Sequence, residues 1–407
     1  MGYIARDMEK TIIRASESFA AILLTGPRQV GKTTTLRKLA GDSRGYVTLD
    51  DLEARRMARN DPPLFLSLHS APVLIDEIQY APELFSYIKM EIDNGAGPGS
   101  FWLSGSQAFR LMSLAHESLA GRVAILQMAS LSQHEIYGSG ECRPFTLSMA
   151  SLAERARTGS LTDTLGQFER VWKGSMPALV SKQHAMPELF YSSYIQTYLE
   201  RDIADLISAS DPLLFSDFIR VAAARTGQMV NVHDMALDLS VSDETVKRWL
   251  GILEKTSVVF FLRPYSSNLL KRIVKKPKLF FFDTGLVAYL TKHLTPEILM
   301  NGSINGAILE NYVVAEIMKS YTNNGLEFLA HYYRDKDKRE IDMVIEGSGA
   351  LYPVEIKKTA SPSPKLARNF RIIDGLRLPR KEGAIICTRK ELSAIDGLTA
   401  IVPAWTI

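Results

Sequence analysis

The sequence predicts an α/β protein built in several parts, and three observations carry that reading. Gly26-Pro27-Arg28-Gln29-Val30-Gly31-Lys32-Thr33 follows the pattern G-x-x-x-x-G-K-[ST] between an apolar strand and a helix. Farther on, the apolar run Pro72-Val73-Leu74-Ile75 delivers Asp76 and Glu77 at its end. In the C-terminal third, Glu340 to Ile345 and Leu351 to Lys357 alternate charged and apolar residues in the manner of a half-buried hairpin. Together these predict an N-terminal parallel sheet flanked by helices and a separate α/β layer at the C-terminal end.

The bulk numbers allow this. The chain of 407 residues has room for more than one core. Its apolar fraction of 46% and charged fraction of 23% are those of an ordinary globular protein. A net charge of +3 confines any nucleic-acid surface to a local patch. The two cysteines, Cys142 and Cys387, are far apart and lack metal-ligand spacing, which excludes a disulfide scaffold and suits a reducing cytoplasm. Met1 to Lys10 has no signal-peptide apolar region, and no apolar run approaches the roughly 18–20 residues of a membrane span. A cytoplasmic location and no membrane partner are expected.

Asp7 to Phe19 reads as a leading helix with Ile12, Ile13 and Phe19 turned inward. Ala20 to Leu24 is a short buried strand, and Thr34 to Ala40 a helix with Leu36 and Leu39 inside. Strand, glycine loop and helix aim backbone N–H groups and a helix N-terminus at phosphate. Gly26 and Gly31 allow backbone geometry that a side chain would block, while Pro27, Arg28, Gln29, Val30 and Thr34 complete the cradle. Lys32 would reach the β- and γ-phosphates and Thr33 would offer its hydroxyl to Mg²⁺, so ATP and Mg²⁺ are the expected cofactors.

Tyr46 to Leu49 is a second strand, ending at Asp50-Asp51. An Arg-rich helix follows over Leu52 to Arg59, and Asp61-Pro62-Pro63 is punctuation. The acids after Ile75 form the Walker B pattern, at the strand end where open α/β sheets bind ligands. Asp76 would hold Mg²⁺ through water, and Glu77 would activate the attacking water. The plain alternative is a surface acid pair after a core strand. Ser100 to Leu103 is a further strand, ending in Ser104-Gly105-Ser106-Gln107. Ser106 and Gln107 are candidates to sense the γ-phosphate or position water, or are only turn formers. Leu119-Ala120-Gly121-Arg122 leads into a strand at Val123 to Gln127. Arg122 is either a finger on a neighbour's phosphate or a solvated arginine.

The phosphate loop, Asp76-Glu77-Ile78-Gln79, Leu103-Ser104-Gly105-Ser106 and Leu119 to Arg122 together resemble the AAA+ superfamily. More narrowly, the chain is similar to the bacterial and archaeal AAA+ ATPases that carry a C-terminal domain of unassigned function. The likeness continues through Tyr198-Leu199-Glu200-Arg201-Asp202-Ile203 and Phe281-Phe282-Asp283-Thr284-Gly285-Leu286, so it spans nearly the whole chain. It implies ATP hydrolysis, a lid-like helical region, and self-association into a ring such as a hexamer.

Residues 128–212 read as mostly helical, clearest at Gln167 to Trp172 and Tyr191 to Leu206, with a break at Gly174 to Pro177. Arg201 and Asp202 sit mid-helix, as a surface salt bridge or as a nucleotide or intersubunit contact. Residues 213–283 look like a winged helix. Asp217 to Thr226, Val232 to Leu239 and Asp243 to Lys255 are its helices, the last with Val246, Trp249, Leu250 and Leu253 in helical register behind a Ser242 cap. Val258 to Leu262 and Lys278 to Phe282 are its strands, joined by a basic wing of Lys271, Arg272, Lys275, Lys276 and Lys278. Lys247, Arg248 and Lys255 would lie on the outer face of the last helix. In such a fold that helix enters the major groove while wing cations meet phosphate, so DNA is the expected partner. A protein contact or a rigid spacer is the alternative, and Glu244 near the helix start counts mildly against groove entry.

In the C-terminal third, Ala307 to Ser320 is a helix with Glu310 and Glu316. Glu327 to His331 opens a strand-like stretch before the hairpin. Glu355 and Lys357 share one strand face, and Asp342 lies on the strand before. This resembles the PD-(D/E)XK nuclease core, with Glu310 as a fourth acid. The resemblance implies a metal on Asp342 and Glu355 and charge stabilisation or water activation by Lys357. The pattern departs in having Ile341, not proline, before the Asp, and an inert core that clamps DNA or a protein partner fits too. The tail adds a proline loop at Pro362 and Pro364, a helix-like Lys365 to Leu376, a strand at Ala384 to Cys387, and an edge strand at Ala400 to Val402.

The expected organisation is an AAA+ P-loop domain (1–145), a helical lid or connector (146–212), a winged helix (213–283) and a restriction-endonuclease-like α/β domain (284–407). Three functions fit it. One is an ATP-driven protein that remodels, translocates or gates DNA, branched DNA included. Another is a nucleotide-dependent switch that recognises a protein partner. The third is an ATP-gated, Mg²⁺-dependent DNA nuclease.

Overall fold

The computed structural model describes residues 2–105, 111, 119–181, 186–199, 212–266 and 276–407. The chain forms two compact units. One comprises Met1–Leu131 with Lys255–Ser257 and Thr322–Leu326; the other comprises Ser132–Glu254, Val258–Tyr321 and Glu327–Ile407.

The first unit is built on a parallel sheet of β1 (Ala21–Thr25), β2 (Gly45–Thr48), β3 (Val73–Asp76), β4 (Phe101–Ser104) and β5 (Val123–Gln127), in the order β2-β3-β4-β1-β5. A parallel sheet is covered on both faces, which is why β1, β3 and β4 are buried along their whole length and apolar up to their last residue. The cover comes from α1 (Glu9–Ser18), α2 (Lys32–Ala40), α3 (Leu52–Asn60), α4 (Pro62–Leu68) and α5 (Leu84–Asp93). Leu23, Ile75 and Leu103 pack with Phe65, Phe85 and Ile88 in its core.

Local chemistry sets the helix starts. Asp51 caps α3 by accepting from Ala54 N at 2.8 Å, and Asp61 caps α4 by accepting from Leu64 N at 3.1 Å. The expected break at Asp61-Pro62-Pro63 is thus a helix start, with proline where its missing N–H is harmless. Two core expectations fail, on α1 and just past its end: Ile13 and Phe19 are exposed, at 38% and 37%. Ile12 is buried as expected and Met8 joins it, because residues four apart share a helix face and Ile13 is turned away from it.

The second unit opens with α6 (Gln133–Tyr137), α7 (Met149–Thr158), α8 (Thr164–Lys173), α9 (Pro177–Val180) and α10 (Pro187–Tyr194). Next come α11 (Pro212–Ala224), α12 (Val232–Leu239), α13 (Asp243–Lys255) and an antiparallel hairpin of β6 (Val259–Leu262) and β7 (Lys278–Phe281). Phe215 and Phe218 pack on Trp249 with ring centroids 5.6 and 5.1 Å away, tying α11 to α13. Met229 makes an isolated antiparallel bridge to Lys278.

After α14 (Thr284–Leu290), α15 (Pro296–Asn301) and α16 (Asn305–Thr322), a six-stranded mixed sheet forms. It comprises β8 (Ala330–Arg334), β9 (Glu340–Gly347), β10 (Ala350–Lys357), β11 (Gly383–Cys387), β12 (Ser393–Asp396) and β13 (Thr399–Pro403), ordered β12-β13-β11-β10-β9-β8. The segment expected as an edge strand, Ala400 to Val402, is internal: β13 pairs with β11 on one side and β12 on the other. The half-exposed β12 takes the edge. The helix expected over Lys365 to Leu376 stops early, as α17 (Lys365–Asn369) followed by a 3-10 turn over Phe370–Ile373. Among the described residues no helix is long and apolar enough to cross a membrane.

Candidate nucleotide site and C-terminal acid cluster

The loop after β1 turns through Gly26 at φ +137° and Gly31 at φ +94°. A Cβ on Gly26 would come 2.1 Å from the Met128 carbonyl oxygen, so this glycine is demanded by packing as well as by φ. α2 begins at Lys32, two residues earlier than expected, and its N-terminal N–H groups face the loop. Lys32 Nζ donates to the Gly26 and Pro27 carbonyls at 2.9 and 2.7 Å. Burial pulls its ammonium down to about 8, against the pull of Glu77 and Asp76. Pro27 and Val30 are buried, whereas Gln29 and Thr34 are exposed and Arg28 is half-buried.

Thr33 Oγ1 lies 3.0 Å from both carboxylate oxygens of Asp76. Ser104, at the end of β4, donates to the same carboxylate and is fully buried. Glu77 follows at φ +54°, and Gln79 donates to its carboxylate. Burial pushes the Glu77 carboxyl up, against that hydrogen bond. Gln79 is 2% exposed, and a Cβ on Gly105 would meet its Oε1, so a glycine beside Ser104 makes room for it. Behind the loop, Arg6 Nη1 donates to the Val30 carbonyl at 2.6 Å and Nη2 to the Ala129 carbonyl at 2.9 Å.

Sequence reasoning misses the roles of Ser104, Gln79 and Arg6. Ser104 and Gln79 carry one signal, their places after a strand end and after the acids; Arg6 carries none. Ser106 and Gln107 lie outside the described residues. Arg122 stands just before β5, at the opposite end of the sheet from the loop, since Thr25 and Gln127 pair at the loop end. Its Nε donates to Asp93 at 2.7 Å and holds that carboxyl below the usual range.

The C-terminal acids gather in the second unit. Lys357 Nζ lies 2.8 Å from Glu355 Oε1 and 3.0 Å from Asp342 Oδ2, which also accepts from Ile356 N at 2.8 Å. Among the described residues Glu355 Oε2 is buried without a hydrogen-bond partner. Burial pushes the Glu355 and Glu310 carboxyls up to about 7. Two expectations change here. Glu310 turns to Lys278, 2.8 Å away, and among the described residues Glu310, Asp342 and Glu355 do not bring one oxygen each within 4.8 Å of one another. Lys278, expected in the basic wing, is buried at 3% exposure and pairs with Glu310 and with Glu340 at 2.6 Å. Its strand places it so: all four residues of β7 are buried, and the residue after Glu310 on α16, Asn311, clamps Phe281 by bonding both its N–H and its carbonyl at 2.7 Å.

Comparison with known proteins places this architecture. An AAA domain family matches residues 18–137, and two domains of unknown function match residues 166–297 (DUF8612) and 305–407 (DUF4143). Over 404 residues the chain is 30% identical to Uncharacterized protein Rv2008c of Mycobacterium tuberculosis and to Uncharacterized protein Mb2031c of Mycobacterium bovis, covering 98% of this chain and 83% of each relative. The chain belongs with them to a family of AAA+ P-loop ATPases that carry a C-terminal DUF4143 domain. Among solved structures, a Walker-type ATPase of Pyrococcus abyssi is similar at TM-score 0.44 and 13% identity, over 70% of this chain and 94% of that one.

In this AAA+ ATPase the expected DNA-facing cations divide three ways. Lys247 and Arg248 on α13 and Lys276 before β7 are exposed. Lys271, Arg272 and Lys275 lie outside the described residues, as do Arg201 and Asp202. Lys278 belongs to the acid cluster.

Proposed function

We propose that this AAA+ protein binds ATP with Mg²⁺, hydrolyses it, and uses turnover to act on DNA held by its C-terminal half. The observation that carries the hydrolytic part is the Thr33 hydroxyl facing the Asp76 carboxylate at 3.0 Å, beside Lys32 and Glu77. Hydroxyl and carboxylate are hard oxygen donors, so this pair fits Mg²⁺, which when bound neutralises charge on the phosphate oxygens. Lys32 exchanges the Gly26 and Pro27 carbonyls for phosphate oxygens. Glu77 accepts a proton from the attacking water, and Gln79 holds that carboxylate in position. Ser104 keeps Asp76 turned toward Thr33. In a ring, Arg122 would have to leave Asp93 to reach a neighbour's phosphate.

The division into an ATPase domain (1–145), helical connector (146–212), winged helix (213–283) and nuclease-like domain (284–407) is part of the same proposal. The order α11-α12-α13-β6-β7, with Met229 bridging onto β7, supports the winged-helix reading. Exposed Lys247, Arg248 and Lys276 supply phosphate contacts. In the nuclease-like domain the unpartnered buried oxygen of Glu355 fits a divalent cation, held with Asp342. The alternative, a nucleotide-dependent switch that recognises a protein partner, gains from Lys278: its burial removes one cation from the expected wing.

The deciding measurement is the ATPase rate of wild type and Lys32→Ala, with and without single-stranded, duplex and branched DNA. Turnover in wild type, its loss in Lys32→Ala, and several-fold stimulation by DNA are expected. Equal rates in the two proteins would remove hydrolysis at this loop. Turnover indifferent to every DNA form would favour the switch.

A further inference from the structure

Lys278 reaches the acid cluster from outside both the sheet that carries Glu340, Asp342 and Glu355 and the helix that carries Glu310. It lies on β7, within the segment matched as DUF8612, whereas Glu310, Glu340, Asp342 and Glu355 all belong to the segment matched as DUF4143. Its backbone is fixed on both sides, by Leu262 in β6 and by the bridge to Met229. Its Nζ touches Glu310 at 2.8 Å and Glu340 at 2.6 Å, and sits 5.7 Å from the centre of the Tyr332 ring. A lysine stem normally carries its ammonium out to water. This one is 3% exposed and keeps its charge inside the protein.

The balance of charge around it is uneven. Four carboxylates face Lys278, Lys357 and, at the rim, Arg334, which is 3.8 Å from Glu340. One of those carboxylates, Glu355, keeps a buried oxygen with no hydrogen-bond partner among the described residues. Burial pulls the Lys278 ammonium down, but Glu310, Asp342 and Glu340 outweigh it and leave it above the usual lysine value. Carboxylates that outnumber the cations around them, one with an unsatisfied buried oxygen, favour a further cation. Lys278 holds one oxygen of Glu310, Oε1.

We propose that Lys278 is a built-in counter-cation of the acid cluster, and that a divalent cation gains Glu310 only by displacing the Lys278 ammonium. The proposal rests on the reading of Asp342 and Glu355 as a divalent-cation site. It makes Lys278 a positioning residue, contributed by the hairpin, that sets how tightly the cluster takes its ion. Two cations competing for one carboxylate weaken each other reciprocally, by a factor commonly between about 5 and 150.

The test titrates Mn²⁺ into the full-length, nucleotide-free chain carrying Asp76→Asn, which removes the phosphate-loop carboxylate, and reads free Mn²⁺ by electron paramagnetic resonance. Lys278→Met should bind Mn²⁺ about tenfold tighter than the parent, and Asp342→Asn should abolish binding. Removing one member of a buried ion pair strains folding. Lys278→Met/Glu340→Gln therefore runs beside it: it removes one charge of each sign and leaves Glu310 free. A several-fold gain in this balanced variant supports displacement. Parent-like affinity there reduces the effect to net charge and overturns the proposal. Unchanged affinity in Lys278→Met, with binding still lost in Asp342→Asn, overturns it while sparing the cation site. No Mn²⁺ binding by the parent, Lys278→Met or the balanced variant overturns both.

Discussion

Thr33 Oγ1 lies 3.0 Å from each carboxylate oxygen of Asp76, although β1 and β3, the strands leading to the two residues, are not neighbours in the sheet. β4 runs between them and sends Ser104 to the same carboxylate. The pair is thus held from three strands. Asp76→Asn should weaken Mg²⁺-dependent binding of a fluorescent ATP analogue by about 10–100-fold while leaving Mg²⁺-free binding nearly unchanged. Equal losses with and without Mg²⁺ would place Asp76 outside any metal role.

Glu77 offers a cleaner separation of binding from chemistry. Glu77→Gln should retain nucleotide affinity and lose turnover by about 10²–10⁴, the usual contribution of a general base. Phosphate release and equilibrium nucleotide binding, measured on one preparation, check both halves. Near-normal turnover in this variant would take Glu77 out of the chemistry.

The glycine loop can be tested through its packing. Gly26→Ala would put a Cβ 2.1 Å from the Met128 carbonyl oxygen at a φ of +137°. It should lower the melting temperature and abolish ATP binding. Gly41→Ala is the control, with positive φ but nothing within 4 Å of the new Cβ, and should cost about 1–3 kcal/mol. Similar effects at the two sites would show that φ alone, not the Met128 carbonyl, makes Gly26 necessary.

Glu316 and Lys319 form a buried pair on α16, 2.7 Å apart, and Glu316 also accepts from Gln133 N at 2.7 Å. Lys319→Met should cost about 3–5 kcal/mol by leaving the carboxylate in the core without its countercharge. Burial already pushes the Glu316 carboxyl up, with Lys319 opposing. A carboxyl whose folded pKa exceeds its unfolded 4.5 binds more protons folded than unfolded between those two values. Stability therefore falls as pH rises from 4.5 through the folded value, and more steeply once Lys319 is gone. Thermal melts of both proteins from acid to neutral pH should diverge; parallel curves would mean that Glu316 is not the group responsible.

The exposed cations make a quantitative claim about DNA. Replacing Lys247, Arg248 and Lys276 together by alanine should make the plot of log affinity against log salt shallower by about 2–3, since each phosphate left without its cation lowers the slope by about 0.9. Fluorescence anisotropy with duplex DNA over a salt series reads this directly. An unchanged slope would leave these residues without a phosphate role.

Much of the first unit is legible in the sequence because its chemistry is local. Phosphate recognition uses consecutive backbone N–H groups, so Gly26 to Thr33 must be contiguous, and the strand that delivers Asp76 and Glu77 announces itself as an apolar run ending in acids. The alternation of β10 likewise puts Glu355 and Lys357 on one face from the residue order alone. Ile13 and Phe19 show where locality fails: both are apolar, but only a packed helix decides which face is turned inward, and it selects Met8 and Ile12.

The phosphate loop, the acids after β3, the parallel sheet and the Asp342-Glu355-Lys357 face follow from residue order, since each is written in neighbouring residues or in a strand period. Tertiary packing alone sets the rest: Ser104 and Gln79 hold those acids, Arg122 answers to Asp93, and Lys278 leaves the wing for Glu310 and Glu340. The physical reason is that a charge has no local signature of burial. In sequence Lys278 is one more cation in a basic run; in the fold, strand pairing points it inward, where desolvation makes the company of carboxylates obligatory.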